Sequence, residues 1–254
     1  MRELLPHPAD DVDPLEAYGA DIRAPQGDRP WVMANMVASA DGATAVEGVS
    51  GALGGGGDLM VFTALRTIAD VILVAAGTAN AERYGPARTD QARTAWRAER
   101  GRPPAAQIAV MTGSLSIDPG LPLFAESDDG PRPLVLTGRG APPDRRRALH
   151  EVAEVIDLGD DRVDLSAALQ ELRRRGAEIV LVEGGPALLG QMATADLIDE
   201  LCLTVSPVLA GGDSRRVLHG AEAGIRRLDL DRILEQDDEL YLRYVRHRAD
   251  DAAR

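Results

Sequence analysis

The sequence contains no lysine: all 28 basic residues among the 254 are arginine. That excludes a phosphate-loop lysine, a pyridoxal Schiff-base lysine and a lysine general base. Cysteine is almost as scarce. The single Cys202 excludes an internal disulfide and any cysteine-clustered zinc site. The four histidines, His7, His150, His219 and His247, lie far apart and show no metal-ligand spacing. No metal site is expected. Aromatic residues make up only 3%, so the core must come from Leu, Val, Ile and Ala. No apolar run approaches a membrane span. The start MRELLPHPADD is acidic and proline-bearing, unlike a secretory signal, so a cytoplasmic protein is expected. A net charge of −13 argues against a nucleic-acid partner.

What is present is an alternation of apolar runs and helical patterns. Trp31–Ala38, Val71–Ala75, Gln107–Met111, Leu134–Thr137, Glu178–Val182, Glu200–Ser206 and Leu240–Arg246 read as strands. Asp58–Ile68, Val163–Arg175 and Pro186–Thr194 read as helices. Strand–helix alternation predicts an α/β fold with a mostly parallel sheet covered on both faces. The last two strands lack a full-length helix between them, which predicts antiparallel pairing at the C-terminal end. Residues 1–28 read as an extended or loosely packed arm with a short helix near Leu15–Tyr18. Residues 29–247 form the main domain, and 248–254 a frayed end. The arginine-rich stretch Gly85–Pro104 is either a flap over a site or a helix.

Four segments are candidates for chemistry. Glu183-Gly184-Gly185-Pro186 follows a strand and opens a helix, so free N–H groups and the helix dipole favour a diphosphate there. The alternative is a plain strand-to-helix turn. Ala76-Gly77-Thr78 also ends an apolar strand, where α/β sheets bind ligands; alternatively, Thr78 is a helix cap. Asn35 to Gly42 is a strand of small residues entering an Asp41-Gly42 turn. Ser50 and the four glycines 54–57 precede Asp58, which reads as an N-cap that can also face a ligand.

Taken in order, Ala38-Ser39-Ala40-Asp41-Gly42, Leu65-Arg66, the run 69–78, Val182–Pro186, and the runs 199–207 and 208–212 resemble one known family. It is the reductase domain of the bacterial riboflavin-biosynthetic deaminase–reductase, and a stand-alone reductase domain is expected. One cysteine leaves no room for the family's zinc deaminase half. The resemblance implies a three-layer αβα, dihydrofolate-reductase-like fold, usually a homodimer. It also implies NADPH-dependent hydride transfer, most like that of 5-amino-6-(5-phosphoribosylamino)uracil reductase. By the same resemblance Ala38, Thr78, Thr112, Gly184, Gly185, Pro186, Ala187, Leu188 and Leu189 contact the cofactor. Ser50, Arg66 and Glu183 contact the substrate. Asp58 is added to that set because related enzymes hold the amidine edge of a pterin with a buried acid. This chain departs from the family at Ala52, where a tryptophan is usual, and over residues 79–86.

Glu183 and Asp41 are candidate proton donors. Two other functions stay open, dihydrofolate or another pteridine reduction, and NADPH binding without catalysis. Leu201, Leu203 and Val205 alternate with Cys202 and Thr204, so a sheet face without helices would need a partner sheet, which predicts a homodimer.

Overall fold

The computed structural model describes residues 1–125 and 130–246. The expected frayed end therefore lies outside the described residues. Among them are ten strands and seven α-helices, and they fall into two compact units that the chain enters more than once.

The first unit holds residues 1–21, 32–64 and those from 186 onward. Its strands are β1 (Arg2–Leu5), β2 (Trp31–Ser39), β8 (Glu200–Ser206), β9 (Leu228–Gln236) and β10 (Glu239–Arg246). They lie in the order β1-β9-β10-β8-β2. All neighbours are antiparallel except β2 and β8, which run parallel. The antiparallel C-terminal pairing is thus present, with β9 inserted between β1 and β10. That strand was missed because its first half, Leu228–Asp231, is exposed and alternates Leu with Asp.

The N-terminal segment is not a loose arm. Its strand β1 pairs with β9, and α1 (Pro14–Gly19) is capped by the Asp13 side chain. Ion pairs hold it in place: Arg232 reaches Glu3 at 2.9 Å and Asp21 at 2.6 Å. Each of these groups is mostly buried, so the pairs are shielded from solvent screening.

Strands β8 and β10 have the expected alternating period, and the structure decides which face is inside. Glu200, Cys202, Thr204 and Ser206 are buried, while Leu201, Leu203 and Val205 are half-exposed. On β10, Glu239, Tyr241 and Arg243 are buried, while Leu240, Leu242 and Tyr244 are half-exposed. The buried charges satisfy one another: Arg243 donates to Glu200 at 2.8 and 3.3 Å and to Asp231.

The second unit holds residues 22–31 and 65–185. Its strands are β3 (Val71–Ala75), β4 (Gln107–Met111), β5 (Leu134–Thr137), β6 (Glu154–Asp157) and β7 (Ile179–Val182). They lie in the order β7-β3-β4-β5-β6 and are all parallel. Buried parallel strands read as continuous apolar runs, which is why β3, β5 and β7 were visible in the sequence. The helices are α3 (Ala76–Ala81), α4 (Gln91–Ala98), α5 (Pro143–Val152) and α6 (Leu165–Arg174). Helix α4 answers the question left at Gly85–Pro104. Its Arg97 is fully buried and donates to the carbonyls of Thr67, Ala69 and Pro103 at 2.6–2.7 Å. Burial brings its pKa down to about 10. The segment is an anchored helix, not a flap.

Two helices complete the chain, α2 (Gly56–Ile68) and α7 (Pro186–Thr194). Among the described residues, no helix is long and apolar enough to cross a membrane.

Candidate functional site

In the second unit the candidates gather where β7 and β3 end. Residues Glu183, Gly184 and Gly185 leave β7, and the Gly184–Gly185 peptide is cis. The Ala75 N–H donates to the Gly184 carbonyl at 3.0 Å, which fixes the turn against β3. A methyl group at Gly185 would lie 2.5 Å from Thr78 Oγ1. Only glycine allows this hydroxyl to approach the turn so closely. Thr78 is not a cap: α3 begins at Ala76 after Ala75, so its hydroxyl stands inside the first helical turn. Thr112 follows β4, is buried, and donates its N–H to the Leu136 carbonyl. A backbone turn stripped of side chains, next to a hydroxyl, is suited to diphosphate oxygens.

Arg66 and Glu183 were assigned separately to the substrate, and the structure joins them. Arg66 Nε donates to Glu183 Oε1 and Nη2 to Oε2, both at 2.6 Å. Tyr84 Oη donates to Oε2 at 2.7 Å, and the guanidinium lies 5.4 Å from the Tyr84 ring centre. Burial, followed by the Glu183 charge, pushes the Tyr84 phenol well above its ordinary value. The carboxylate and its hydrogen bonds keep Arg66 charged despite its burial. Arg66 is thus neither a bare phosphate-binding cation nor a surface residue. Tyr84 escaped notice because it lies in 79–86, where the chain departs from the family pattern; a tyrosine in a polar segment of so aromatic-poor a chain was the available signal.

In the first unit, Asp58 is not the N-cap of α2. The helix starts at Gly56, and the Asp58 side chain accepts from Thr204 Oγ1 of β8 at 2.6 Å. A side chain at Gly54 would collide with Asp58 Oδ2. The N–H of Gly55 is taken instead by Glu239 Oε1 at 2.9 Å, and Tyr241 Oη donates to Glu239 Oε2 at 2.6 Å. Burial raises the Asp58 pKa, Glu239 adds to the rise, and Thr204 opposes it. Thr204, Glu239 and Tyr241 were read only as strand residues, since period alone does not say which face is inside.

Ala38, one residue before the end of β2, lies beside Val205 and is largely buried. Ser50 lies between β2 and α2, and its carbonyl accepts from Leu53 N–H. Pro186 to Leu189 open α7; Leu188 and Leu189 are buried, so only their backbone could face a cofactor. Asp41 accepts from Ser39 Oγ at 2.5 Å and from the N–H groups of Ala210 and Gly211 at 3.1 and 2.8 Å. These bonds, Ser39 foremost, bring its pKa down to about 2. It is a loop-fastening carboxylate at neutral pH and has no proton to give. Glu183 accepts three hydrogen bonds, two from Arg66 and one from Tyr84, and holds that cluster together. Among the described residues no group of His, Cys, Asp and Glu could hold a metal ion.

The family model described as the RibD C-terminal domain matches residues 30–242. The 2,5-diamino-6-ribosylamino-4(3H)-pyrimidinone 5′-phosphate reductase of Archaeoglobus fulgidus is 30% identical over 207 residues, covering 81% of this chain and 93% of that protein. The reductase of the same name from Methanothermobacter thermautotrophicus is 30% identical over 222 residues, covering 85% and 98%. A solved pyrimidine reductase-like protein of Corynebacterium diphtheriae superposes with a TM-score of 0.81 at 28% identity, covering 93% of this chain and all of that one. The αβα, dihydrofolate-reductase-like fold expected from the sequence is the fold these relatives share, and the chain is an oxidoreductase of their kind.

Proposed function

The chain belongs to the RibD C-terminal domain family, and from that membership we propose that it reduces 2,5-diamino-6-ribosylamino-4(3H)-pyrimidinone 5′-phosphate with NADPH. The observation that carries this reading is the 30% identity to two reductases of that name along nearly their whole length. The sequence resemblance points to the deaminated uracil counterpart; the named relatives move the reading to the substrate that keeps its 2-amino group.

The Thr78–Gly185 approach supports a nicotinamide dinucleotide, because a side chain at Gly185 would close the cradle. Gly184, Gly185 and the first residues of α7, Pro186 to Leu189, would hold the diphosphate through backbone N–H groups. Thr78 and Thr112 would add hydroxyl contacts, and Ala38 a small surface for the nicotinamide. When bound, the cofactor supplies the hydride. The chain's own part is to orient the substrate and exclude water. In this reading Ser50 and the Arg66–Glu183 pair hold the ribosyl phosphate side, with Arg66 positioned by Glu183.

Asp58 is assigned to the heterocycle. A 2-aminopyrimidinone offers an N–H pair along one edge, which a carboxyl can accept, whereas the uracil presents a carbonyl there. The Thr204 hydroxyl fixes the Asp58 carboxyl for that role. The same acid would suit a pterin, so dihydrofolate is the second substrate to try.

The reading includes a homodimer. The half-exposed Leu201, Leu203, Val205, Leu240, Leu242 and Tyr244 lie on one face, with Leu242 between Leu203 and Ile233 in register. A second copy of the chain is the occupant suited to such a face.

Loss of NADPH absorbance on mixing the purified protein with the diamino pyrimidinone phosphate tests the function. Turnover in the ordinary range of about 1–1000 per second supports it. Binding of NADPH without turnover on this substrate, its uracil counterpart or dihydrofolate overturns it in favour of a non-catalytic binder.

A further inference from the structure

A cleft of about 380 Å³ lies in the second unit, lined by Asn80, Leu115–Pro119, Arg145, Ala148 and Leu149. Its size falls in the range of small-ligand sites. Its walls are the segments leaving the carboxyl ends of three neighbouring strands: α3 after β3, residues 115–119 after β4, and α5 after β5. Open α/β sheets bind ligands at that end. From β7, where the Gly184–Gly185 turn leaves, β5 is three strands away, about 14 Å at ordinary strand spacing, within the reach of one dinucleotide.

Three features make this cleft more than a surface dent. The first is Arg145. In the run Arg145–Arg147, Arg146 pairs with Asp157 and Arg147 with Asp144. Arg145 has no carboxylate partner among the described residues. Its Nη1 instead donates to the Ser114 carbonyl at 3.1 Å and to Ser116 Oγ at 2.8 Å, which leaves Nε and Nη2 for something else. The second is the serine pair: Ser114 Oγ and Ser116 Oγ are 2.6 Å apart. The third is backbone strain. Leu115, between the serines, is buried with φ at 52°, a region non-glycine residues rarely enter. Asn80 pins the loop by donating to the Ser116 carbonyl at 2.7 Å and accepting from Asp118 N–H at 3.1 Å. The lining acid, Asp118, spends Oδ1 on the Gly120 N–H of its own turn.

A guanidinium held without a counter-ion beside two hydroxyls, over an apolar floor, fits a phosphate monoester attached to a flat ring. We infer that this cleft takes the adenosine end of the cofactor and that Arg145, positioned by Ser116, selects its 2′-phosphate. The inference rests on the nicotinamide-dinucleotide reading and adds the residue that sets NADPH over NADH.

Binding, not turnover, tests it. Calorimetry would compare 2′,5′-ADP with 5′-AMP, and NADPH with NADH, on the intact protein. The wild type should favour the 2′-phosphorylated member of each pair by about ten- to a hundredfold. Arg145→Gln should abolish that preference and leave 5′-AMP and NADH affinity within about twofold. Ser116→Ala should reduce it in part. Arg145 is exposed, so the variant should fold, and an unchanged melting curve checks this. An undiminished preference in Arg145→Gln, or equal wild-type affinity for both members, overturns the role of Arg145 and leaves the cofactor reading standing. Binding of neither NADPH nor NADH by the wild type overturns the cofactor reading itself.

Discussion

Arg66 and Glu183 meet edge to edge, two N–H groups on two oxygens at 2.6 Å each, although 117 residues separate them in the chain. The Glu183 side chain is only 2% exposed and that of Arg66 20%. A substrate phosphate would therefore encounter a compensated pair steadied by Tyr84. Such a pair sets geometry more than it supplies net charge.

Breaking this pair from one side should cost more than removing it. Glu183→Gln leaves a largely buried guanidinium uncompensated and should destabilise the protein by about 2–4 kcal/mol in urea unfolding. Arg66→Met with Glu183→Leu should cost less than the two single changes added together. Additive losses would show that the residues do not act as a pair.

Gly185→Ala places a methyl group 2.5 Å from the Thr78 hydroxyl oxygen. NADPH affinity, read by quenching of protein fluorescence, should fall at least about tenfold as the turn shifts. Adding Thr78→Ala removes the clash and should restore part of the loss, because the backbone N–H groups then return to place. Undiminished affinity in Gly185→Ala would disconnect this turn from the cofactor.

Asp58 allows a test in which substrate and cofactor separate. Asp58→Asn should raise KM for the diamino pyrimidinone phosphate by about ten- to a hundredfold and leave NADPH affinity nearly unchanged. The pH sign is also fixed. An acid held above its ordinary value binds its proton more tightly in the folded chain, so its contribution to stability grows as pH falls through the raised value. At neutral pH the amide variant should be at least as stable as the wild type, and its advantage should shrink on acidification. Equal kinetics in the variant would leave Asp58 a structural residue at the start of α2.

Asp41 has the opposite sign. Its folded value of about 2 lies below the ordinary 3.8, so the carboxylate stabilises the fold above that ordinary value and ceases to as pH drops toward 2. Asp41→Asn should unfold with a flatter pH dependence between about 4 and 2 than the wild type. The loop at Ala210–Gly211 should exchange its amide protons faster, since two of its N–H groups lose a charged acceptor.

Light scattering at dilute concentration should report twice the 27.0 kDa of one chain. Leu203→Arg with Leu242→Arg should return the mass to one chain, because the two side chains are neighbours on the half-exposed face. A wild-type mass of 27.0 kDa would remove the dimer from the proposal.

The chain alone determined what depends on neighbours in sequence. Continuous apolar runs marked β3, β5 and β7, because a strand buried on both faces carries the same message at every position. The Glu183–Pro186 turn was legible because glycine and proline act on their own dihedral angles. The absence of lysine and the single cysteine excluded whole chemistries at once. Tertiary structure decided whatever depends on a partner far along the chain. Period gave β8 and β10 an inner and an outer face without saying which was which; the ion pairs of Arg243 with Glu200 and Asp231 drew the polar face inward. The segment before residue 29 looked loose until Arg232 supplied a counter-charge for Glu3 and Asp21. Within the run Arg145–Arg147 nothing local distinguishes one guanidinium from the next. Only the folded chain gives two of them carboxylates and leaves the third facing a cleft.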